Sequence, residues 1–194
     1  MRSPIEKIFA LVLLLTLLPL MALIWLAVKL TSKGPAIFSQ TRTGFLGKPF
    51  TLYKFRSMKA NAPDGSAEGA TGAVWKSAND PRVTGVGRMI EWTHLDELPQ
   101  LWNILKSEVS FVGPRPERPQ FVRELARQIP YYELRHLVRP GIAGWAQLQY
   151  RYGASVEDAR EKLQYDLYYL KHRSFFMDLS IIAKTVKLFF AKHS

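Results

Sequence analysis

The sequence predicts an α+β protein in which an apolar N-terminal helix precedes a β-hairpin and a mostly helical domain. Three observations support this: an uncharged run at residues 8–28, alternating apolar and polar residues on both sides of a short turn, and helical periodicity towards the C-terminus. The chain has 194 residues, 47% of them hydrophobic, which is enough for a compact core. We place the boundary between the apolar segment and the domain after residue 33.

The apolar segment runs from Ile8 to Val28 without a charged residue. At about 1.5 Å per residue it is long enough to cross about 30 Å of hydrocarbon. A cleaved signal peptide fits less well, because the run is long and no small-residue cleavage site follows it. Pro19 near its middle removes a backbone hydrogen bond and predicts a kink. Basic residues flank both ends, so a spanning helix and a re-entrant helix are equally open at this point.

The hairpin is predicted at residues 36–44 and 49–58, joined by the turn FLGK. Residues 60–87 are rich in Ala, Gly, Ser, Asn and Pro, and we interpret them as a long loop. Periodicity predicts helices at residues 157–173 and 175–193. The second of these alternates bulky apolar residues with lysines, which suits either a membrane surface or the cover of a domain core.

The charge balance points to phosphate groups. Twenty-seven Lys and Arg against sixteen Asp and Glu give a net charge of +11, as expected of a protein that meets nucleic acid, anionic lipid or a nucleotide. The chain has no Cys, which excludes a disulfide framework and thiolate chemistry and favours a reducing compartment. The four His have no metal-ligand spacing, and there is no Walker lysine loop or G-x-S-x-G motif.

Asp96 and Glu97 are adjacent at the head of the segment LDELPQLWNILK, where we predict that they begin a helix. The apolar face of this helix is predicted to comprise Leu98, Leu101, Trp102 and Leu105, and the polar face Asp96, Gln100 and Asn103. A carboxylate at a helix N-terminus is favoured as the anion and can act as a nucleophile at phosphorus or as a ligand of Mg²⁺. Helix capping is the alternative, because acidic residues are common at helix starts.

Basic side chains beside prolines and glycines complete the phosphate hypothesis, because an arginine on a stiff turn offers a fixed fork to phosphate oxygens. The candidates are Lys54, Arg56, Arg88, Arg115, Arg118 and Arg139. From the residues alone, a basic domain tethered to a membrane and carrying an acidic dyad favours phosphoryl transfer at a membrane surface. A non-catalytic membrane-tethered module that binds anionic lipid or nucleic acid is the alternative.

Six blocks resemble the bacterial sugar transferase family of polyprenyl-phosphate phosphoglycosyl transferases, in order and over nearly the whole chain. They are GPAIFSQTRTG, PFTLYKFRSM, NDPRVTGVGR, LDELPQLWNILKSEVSFVGPRPERP, RPGIAGWAQ and QYDLYYLKHRSFFMDL. The resemblance implies transfer of a sugar 1-phosphate from a UDP-sugar to undecaprenyl phosphate, with Mg²⁺, through a covalent aspartyl-phosphosugar and with release of UMP. Such a reaction begins the assembly of exopolysaccharide or another glycoconjugate.

The resemblance also implies roles for particular residues. Asp96 is expected to be the nucleophile and Glu97 its partner, with both as metal ligands. The residues expected to contact substrate phosphates or the nucleotide are Lys54, Arg56, Arg88, Arg115, Arg139 and Gln147. One departure from the family pattern is Leu18, where many members carry Ser before the proline.

The topology implied by the resemblance resolves the ambiguity of the apolar segment. Residues 1–33 are expected to form a re-entrant membrane helix broken at Pro19. Residues 34–194 are expected to form the catalytic domain, with amphipathic interfacial helices, on the cytoplasmic face of the bacterial inner membrane. The expected partners are UDP-sugar, undecaprenyl phosphate and membrane phospholipid, and not nucleic acid.

Overall fold

The computed structural model describes residues 4–61, 67, 80–150 and 155–191. The chain divides into two compact units, Met1–Gln40 with Thr51–Leu105, and Thr41–Phe50 with Lys106–Ser194. The described residues contain helices and two small sheets, which is compatible with the predicted α+β class.

The regular elements of the described residues are as follows. The helices are α1 Pro4–Thr31, α2 Gly85–Trp92, α3 Gln100–Leu105, α4 Pro119–Gln128, α5 Trp145–Gln149, α6 Val156–His172 and α7 Phe175–Ala191. The strands are β1 Ile37–Thr43, β2 Pro49–Phe55, β3 Ser110–Val112 and β4 Gly141–Ala143. Three 3₁₀ turns are Phe45–Gly47, Leu95–Glu97 and Tyr132–Leu137. The two predicted C-terminal helices are confirmed as α6 and α7. Most of the predicted long loop lies outside the described residues, and its last residues belong to α2.

Helix α1 is continuous over 28 residues and contains Pro19. The helix therefore continues through Pro19, where a break was predicted. Among the described residues, α1 is the one helix long and apolar enough to cross a membrane, judged by length and composition. Many of its large apolar side chains are exposed, including Leu15, Leu23 and Leu30. Such a surface matches hydrocarbon better than water.

The C-terminal end of α1 is fixed to the rest of the first unit. Ile24 and Val28 are buried in one cluster with Phe55 of β2 and Ile90 of α2. Arg56, just after β2, donates hydrogen bonds to the backbone carbonyls of residues 32 and 33, at 2.8 and 2.5 Å. These carbonyls follow the last residue of α1, so Arg56 fixes the backbone where the chain leaves the helix.

Strands β1 and β2 form a two-stranded sheet joined by residues 44–48. A connection of five residues is too short for a parallel crossover, so the pair is the predicted hairpin. The turn contains Leu46 and Gly47 at φ 53° and 74°. Glycine adopts the left-handed region of backbone conformation at little cost in free energy, which allows so short a turn.

The second unit contains the parallel pair β3 and β4, with Ser110 opposite Gly141 and Val112 opposite Ala143. A Cβ on Gly141 would lie 2.0 Å from the backbone nitrogen of Gly113, so the chains approach too closely for a side chain. Two apolar clusters form the core of this unit. One contains Val112, Val138, Tyr169 and Ile181, and the other Val122, Leu125, Ile129, Tyr132 and Leu163.

Helix α7 has two different faces. Ile181 is fully buried in the second unit, whereas Phe175, Phe176 and Leu179 are exposed. Nζ of Lys184 lies 4.8 Å from the centroid of the Trp145 ring. One face therefore covers the core, as one of the two sequence interpretations predicted, and another presents apolar side chains to the outside.

Candidate active site

Asp96 and Glu97 lie in the 3₁₀ turn Leu95–Glu97, between α2 and α3. His94 enters the turn in the left-handed region at φ 55°. Helix α3 begins only at Gln100. The prediction that the dyad begins the helix is therefore wrong by about one turn. A basic side chain faces the dyad.

That side chain is Lys54 of β2. Its Nζ lies 2.6 Å from Oε1 of Glu97 and 3.7 Å from Oδ2 of Asp96. The side chains of Lys54, Asp96 and Glu97 are 19%, 11% and 10% exposed, so solvent screens them only partly. One ammonium group offsets the repulsion between two adjacent carboxylates and leaves the three side chains with a net negative charge.

Asn103 of α3 sets the position of Lys54. Its Nδ2 donates to the carbonyl of Thr51 at 2.7 Å, and its Oδ1 accepts from the backbone N–H of Tyr53 at 3.2 Å. The Asn103 amide thus bonds to the backbone of β2 as a neighbouring strand would. Its partners Thr51 and Tyr53 lie close in the chain to Lys54, whose side chain reaches the dyad.

The predicted faces of α3 are wrong at three positions, because Gln100 and Asn103 are only 2% and 0% exposed whereas Trp102 is 52% exposed. Periodicity assigns polar groups to water, whereas Asn103 has found buried partners.

Helix α2 is held against the end of β2 by close backbone contact. A Cβ on Gly87 would lie 1.8 Å from the carbonyl oxygen of Ser57. Thr84 caps α2 by accepting from Gly87 N–H at 2.9 Å, and the Thr84 N–H donates to the same Ser57 carbonyl at 2.9 Å. Ser57 Oγ donates to Oε1 of Glu91 at 2.6 Å. Arg88, a predicted phosphate ligand, is exposed on this fixed helix.

The other predicted ligands are distributed between the two units. Arg56 is buried, and its guanidinium donates to backbone carbonyls just after α1. Phosphate binding by Arg56 stays a prediction. Arg115, Arg139 and Gln147 all lie in the second unit. Nε2 of Gln147 donates to the carbonyl of Ile142 at 3.3 Å, while its Oε1 is buried and accepts no hydrogen bond from the described residues.

Sequence reasoning missed the buried ion pair between Arg135 and Asp166. Asp166 Oδ2 accepts from Nε and Nη2 of Arg135 at 3.0 and 2.8 Å, and Arg135 Nη1 donates to the Tyr132 hydroxyl at 2.6 Å. Burial raises the pKa of the Asp166 carboxyl, and the charge of Arg135 opposes that shift. One signal was available, a carboxylate inside the mostly apolar run LQYDLYYL. Charges in such runs are seldom buried without a partner.

Asp96 and Glu97 are suitable protein ligands for Mg²⁺, which prefers oxygen donors and is usually held by one or two carboxylates together with substrate phosphates and water. Among the residues that the structure describes, there is no group of three or more His, Cys, Asp or Glu that could hold a metal ion by itself.

Comparison with known proteins gives several relatives. A UDP-N-acetylgalactosamine-undecaprenyl-phosphate N-acetylgalactosaminephosphotransferase of Aeromonas hydrophila is 44% identical over 169 residues, 87% of this chain and 38% of that protein. A UDP-glucose:undecaprenyl-phosphate glucose-1-phosphate transferase of Escherichia coli K12 is 42% identical over 183 residues, 93% of this chain and 38% of that protein. An exopolysaccharide production protein of Rhizobium leguminosarum is 39% identical over 181 residues, 89% of this chain and 86% of that protein.

The chain thus spans 38% of the length of the first two relatives. Their names specify different sugars, so similarity alone does not fix the sugar. The model of the bacterial sugar transferase family matches residues 1–192, a range that includes α1, the dyad and all the candidate ligands. The chain belongs to the bacterial sugar transferase family.

Proposed function

We propose that the chain transfers a sugar 1-phosphate from a UDP-sugar to undecaprenyl phosphate and releases UMP, which begins the assembly of exopolysaccharide or another glycoconjugate. The observation that carries the proposal is the cluster of Lys54, Asp96 and Glu97, in which two largely buried carboxylates face one ammonium group. The names of two relatives contain both a UDP-sugar and undecaprenyl phosphate, which supports this substrate class.

Asp96 is the nucleophile of the proposed reaction. Its carboxylate oxygen forms a bond to the phosphorus that carries the sugar, the bridging P–O bond of the diphosphate breaks, and UMP leaves with the electron pair. A phosphate oxygen of undecaprenyl phosphate then attacks the same phosphorus, and the acyl phosphate bond breaks to restore the Asp96 carboxylate. Lys54 is a basic group beside this carboxylate and would stabilise the negative charge of the phosphoryl oxygens during the transfer.

The remaining candidates have supporting roles in the proposal. Asp96 and Glu97 would supply the protein ligands of Mg²⁺, which when bound neutralises part of the diphosphate charge. Arg88, Arg115, Arg139 and Gln147 would contact the phosphates or the nucleotide.

We further propose that α1 is re-entrant, with both ends on the cytoplasmic side of the membrane. A proline inside a continuous helix bends it without ending it, and α1 contains such a proline at position 19. The exposed apolar side chains of α1 and α7 would then contact lipid. This arrangement suits the substrates, because the nucleotide sugar is cytoplasmic and the acceptor phosphate lies at the level of the lipid headgroups.

The test is UMP release by the purified chain in lipid nanodiscs, with Mg²⁺, undecaprenyl phosphate and each of several UDP-sugars, including UDP-glucose and UDP-N-acetylgalactosamine. We expect UMP release that requires the lipid for continued turnover and favours one sugar. The matched control is Asp96→Asn, which preserves size but removes the anionic nucleophile. Lack of UMP release with every sugar would contradict the proposal and favour the alternative, a membrane-tethered binding module.

A further inference from the structure

We infer that Arg42 and Arg135 are positioning residues that act through Arg115, by fixing the backbone of the segment Gly113–Glu117. The inference rests on the proposed function, in which Arg115 contacts the phosphates or the nucleotide of the UDP-sugar. Arg42 lies on β1 and Arg135 in the 3₁₀ turn Tyr132–Leu137, and both belong to the same unit as the segment.

Four consecutive carbonyls of this segment accept hydrogen bonds from other parts of the second unit. Pro114 O accepts from Gly141 N at 2.9 Å, Arg115 O from Arg135 Nη2 at 3.1 Å, Pro116 O from Arg42 Nη1 at 2.9 Å, and Glu117 O from Thr43 N at 2.8 Å. A surface loop ordinarily leaves many of its carbonyls to water. Here the backbone on both sides of Arg115 is attached to the hairpin, to β4 and to the 3₁₀ turn.

The sequence of the segment restricts the same backbone from within. Pro114 and Pro116 each fix φ, and a residue before proline is kept out of the helical region. Because Pro116 follows it, Arg115 is restricted to extended backbone conformations. Gly113 adds a close contact, since a Cβ there would lie 2.4 Å from the carbonyl oxygen of Arg139. Together, the internal restrictions and the hydrogen bonds set the direction in which the Arg115 side chain leaves the backbone.

Arg135 is itself held rigidly. Its Nε and Nη2 donate to Asp166 and its Nη1 to the Tyr132 hydroxyl, so all three nitrogens have partners while Nη2 also reaches the segment. Arg135 and Asp166 are both buried. Charge-assisted bonds inside a protein are stronger than neutral ones, and a satisfied buried network has one arrangement. The carbonyl of Arg115 is thus attached to a fixed point of the core.

A side chain held in its binding orientation loses less entropy when the ligand arrives. Loosening the segment therefore weakens UDP-sugar binding, while the Asp96 nucleophile in the other unit is unchanged. The expected kinetic effect is a higher KM for the UDP-sugar with kcat nearly constant. A purely structural role of the two arginines would instead lower stability and the amount of active enzyme, without changing KM.

The test is a double-mutant cycle between Arg42→Gln and Arg115→Ala, measured as KM for the UDP-sugar. Arg42→Gln should raise KM about tenfold in the wild-type background and have no further effect when Arg115 is already Ala. Arg42→Lys, which keeps a cationic donor, should recover part of the loss. The matched control is Arg160→Gln, because Arg160 pairs with Glu157 on the surface of α6, outside the segment.

The buried network is tested with Tyr132→Phe, which removes one hydroxyl and leaves the ion pair in place. It should raise KM in the same non-additive way, whereas Tyr150→Phe, which removes a hydroxyl bonded to Asp158 at 2.6 Å outside the segment, should not. An unchanged KM in Arg42→Gln, or an effect that adds fully to Arg115→Ala, overturns the inference alone. A wild-type chain that releases no UMP overturns the proposed function and, with it, the inference.

Discussion

Lys54 contributes positive charge beside the dyad. Lys54→Met removes the ammonium group that lies 2.6 Å from Glu97 and 3.7 Å from Asp96. We expect the rate of UMP release to fall about 100-fold or more, because loss of one preorganised charge-stabilising group costs this much in other active sites. Lys54→Arg should retain part of the activity. Circular dichroism checks that the fold persists, and a fully active Lys54→Met enzyme would show that this charge is dispensable.

His136 gives the fold a dependence on pH. Burial, together with the neighbouring charge of Arg135, lowers the pKa of His136 to about 4, compared with about 6.5 in an unfolded chain. Between these values the unfolded state binds the proton more readily, so the free energy of unfolding falls as the pH drops from about 6.5 towards 4. Above about pH 6.5, His136 is neutral in both the folded and the unfolded state, so its titration no longer lowers the free energy of unfolding.

His136→Gln should reduce this pH dependence, because the amide does not titrate. The measurement is chemical denaturation of the wild type and the variant at pH 7, 6 and 5. If the free energy of unfolding falls equally in both proteins over this range, the lowered pKa of His136 is not the cause of the pH dependence.

Sequence reasoning at the level of residues succeeded where the signal was local. The adjacent acids Asp96 and Glu97 are visible in the sequence, and so is the proline-flanked Arg115. The partners of Asn103 and Arg135 lie 52 and 31 residues away in the chain. A polar residue with such a partner looks like a surface residue until the fold brings the two together.

Helix α3 and strand β2 depend on Asn103 for their alignment. Asn103→Leu is nearly isosteric but removes the hydrogen bonds to Thr51 O and Tyr53 N. We expect the free energy of unfolding to fall by about 2–4 kcal/mol, because two backbone groups lose a partner. Denaturant titration measures the change, with Gln149→Leu, an exposed amide on α5, as the control. A loss no larger than in the control would show that the amide is not needed to hold β2.

The elements differ in how far the sequence predicts them. Helix α1, the hairpin, α6 and α7 follow from apolar runs and periodicity within one segment. The pair β3 and β4 was not predicted, because each strand has three residues and the pairing joins Ser110 to Gly141. A strand of three residues is too short to show a periodic pattern. The dyad turn was assigned to a helix because periodicity does not reveal a left-handed residue such as His94.

At the scale of the whole molecule, the re-entrant topology predicts that both ends of α1 face the cytoplasm. Single cysteines at positions 4 and 33 of this Cys-free chain are suitable reporters. Both should be protected from a membrane-impermeant thiol reagent in intact cells and both should react after lysis. Labelling of position 4 alone in intact cells would indicate a spanning helix. Pro19→Ala should shift α1 towards that form, because about 3 kcal/mol of helix-interior penalty disappears.

The central claim is that Asp96 carries the phosphosugar as a covalent intermediate, and exchange of labelled UMP tests it most directly. The enzyme is incubated with UDP-sugar, Mg²⁺ and labelled UMP in the absence of undecaprenyl phosphate. If the aspartyl-phosphosugar forms, UMP can attack it in reverse, so label should enter the UDP-sugar with the wild type and not with Asp96→Asn. Absence of exchange by an enzyme that transfers the sugar phosphate to lipid at full rate would contradict the claim, because the lipid phosphate would then attack the UDP-sugar directly.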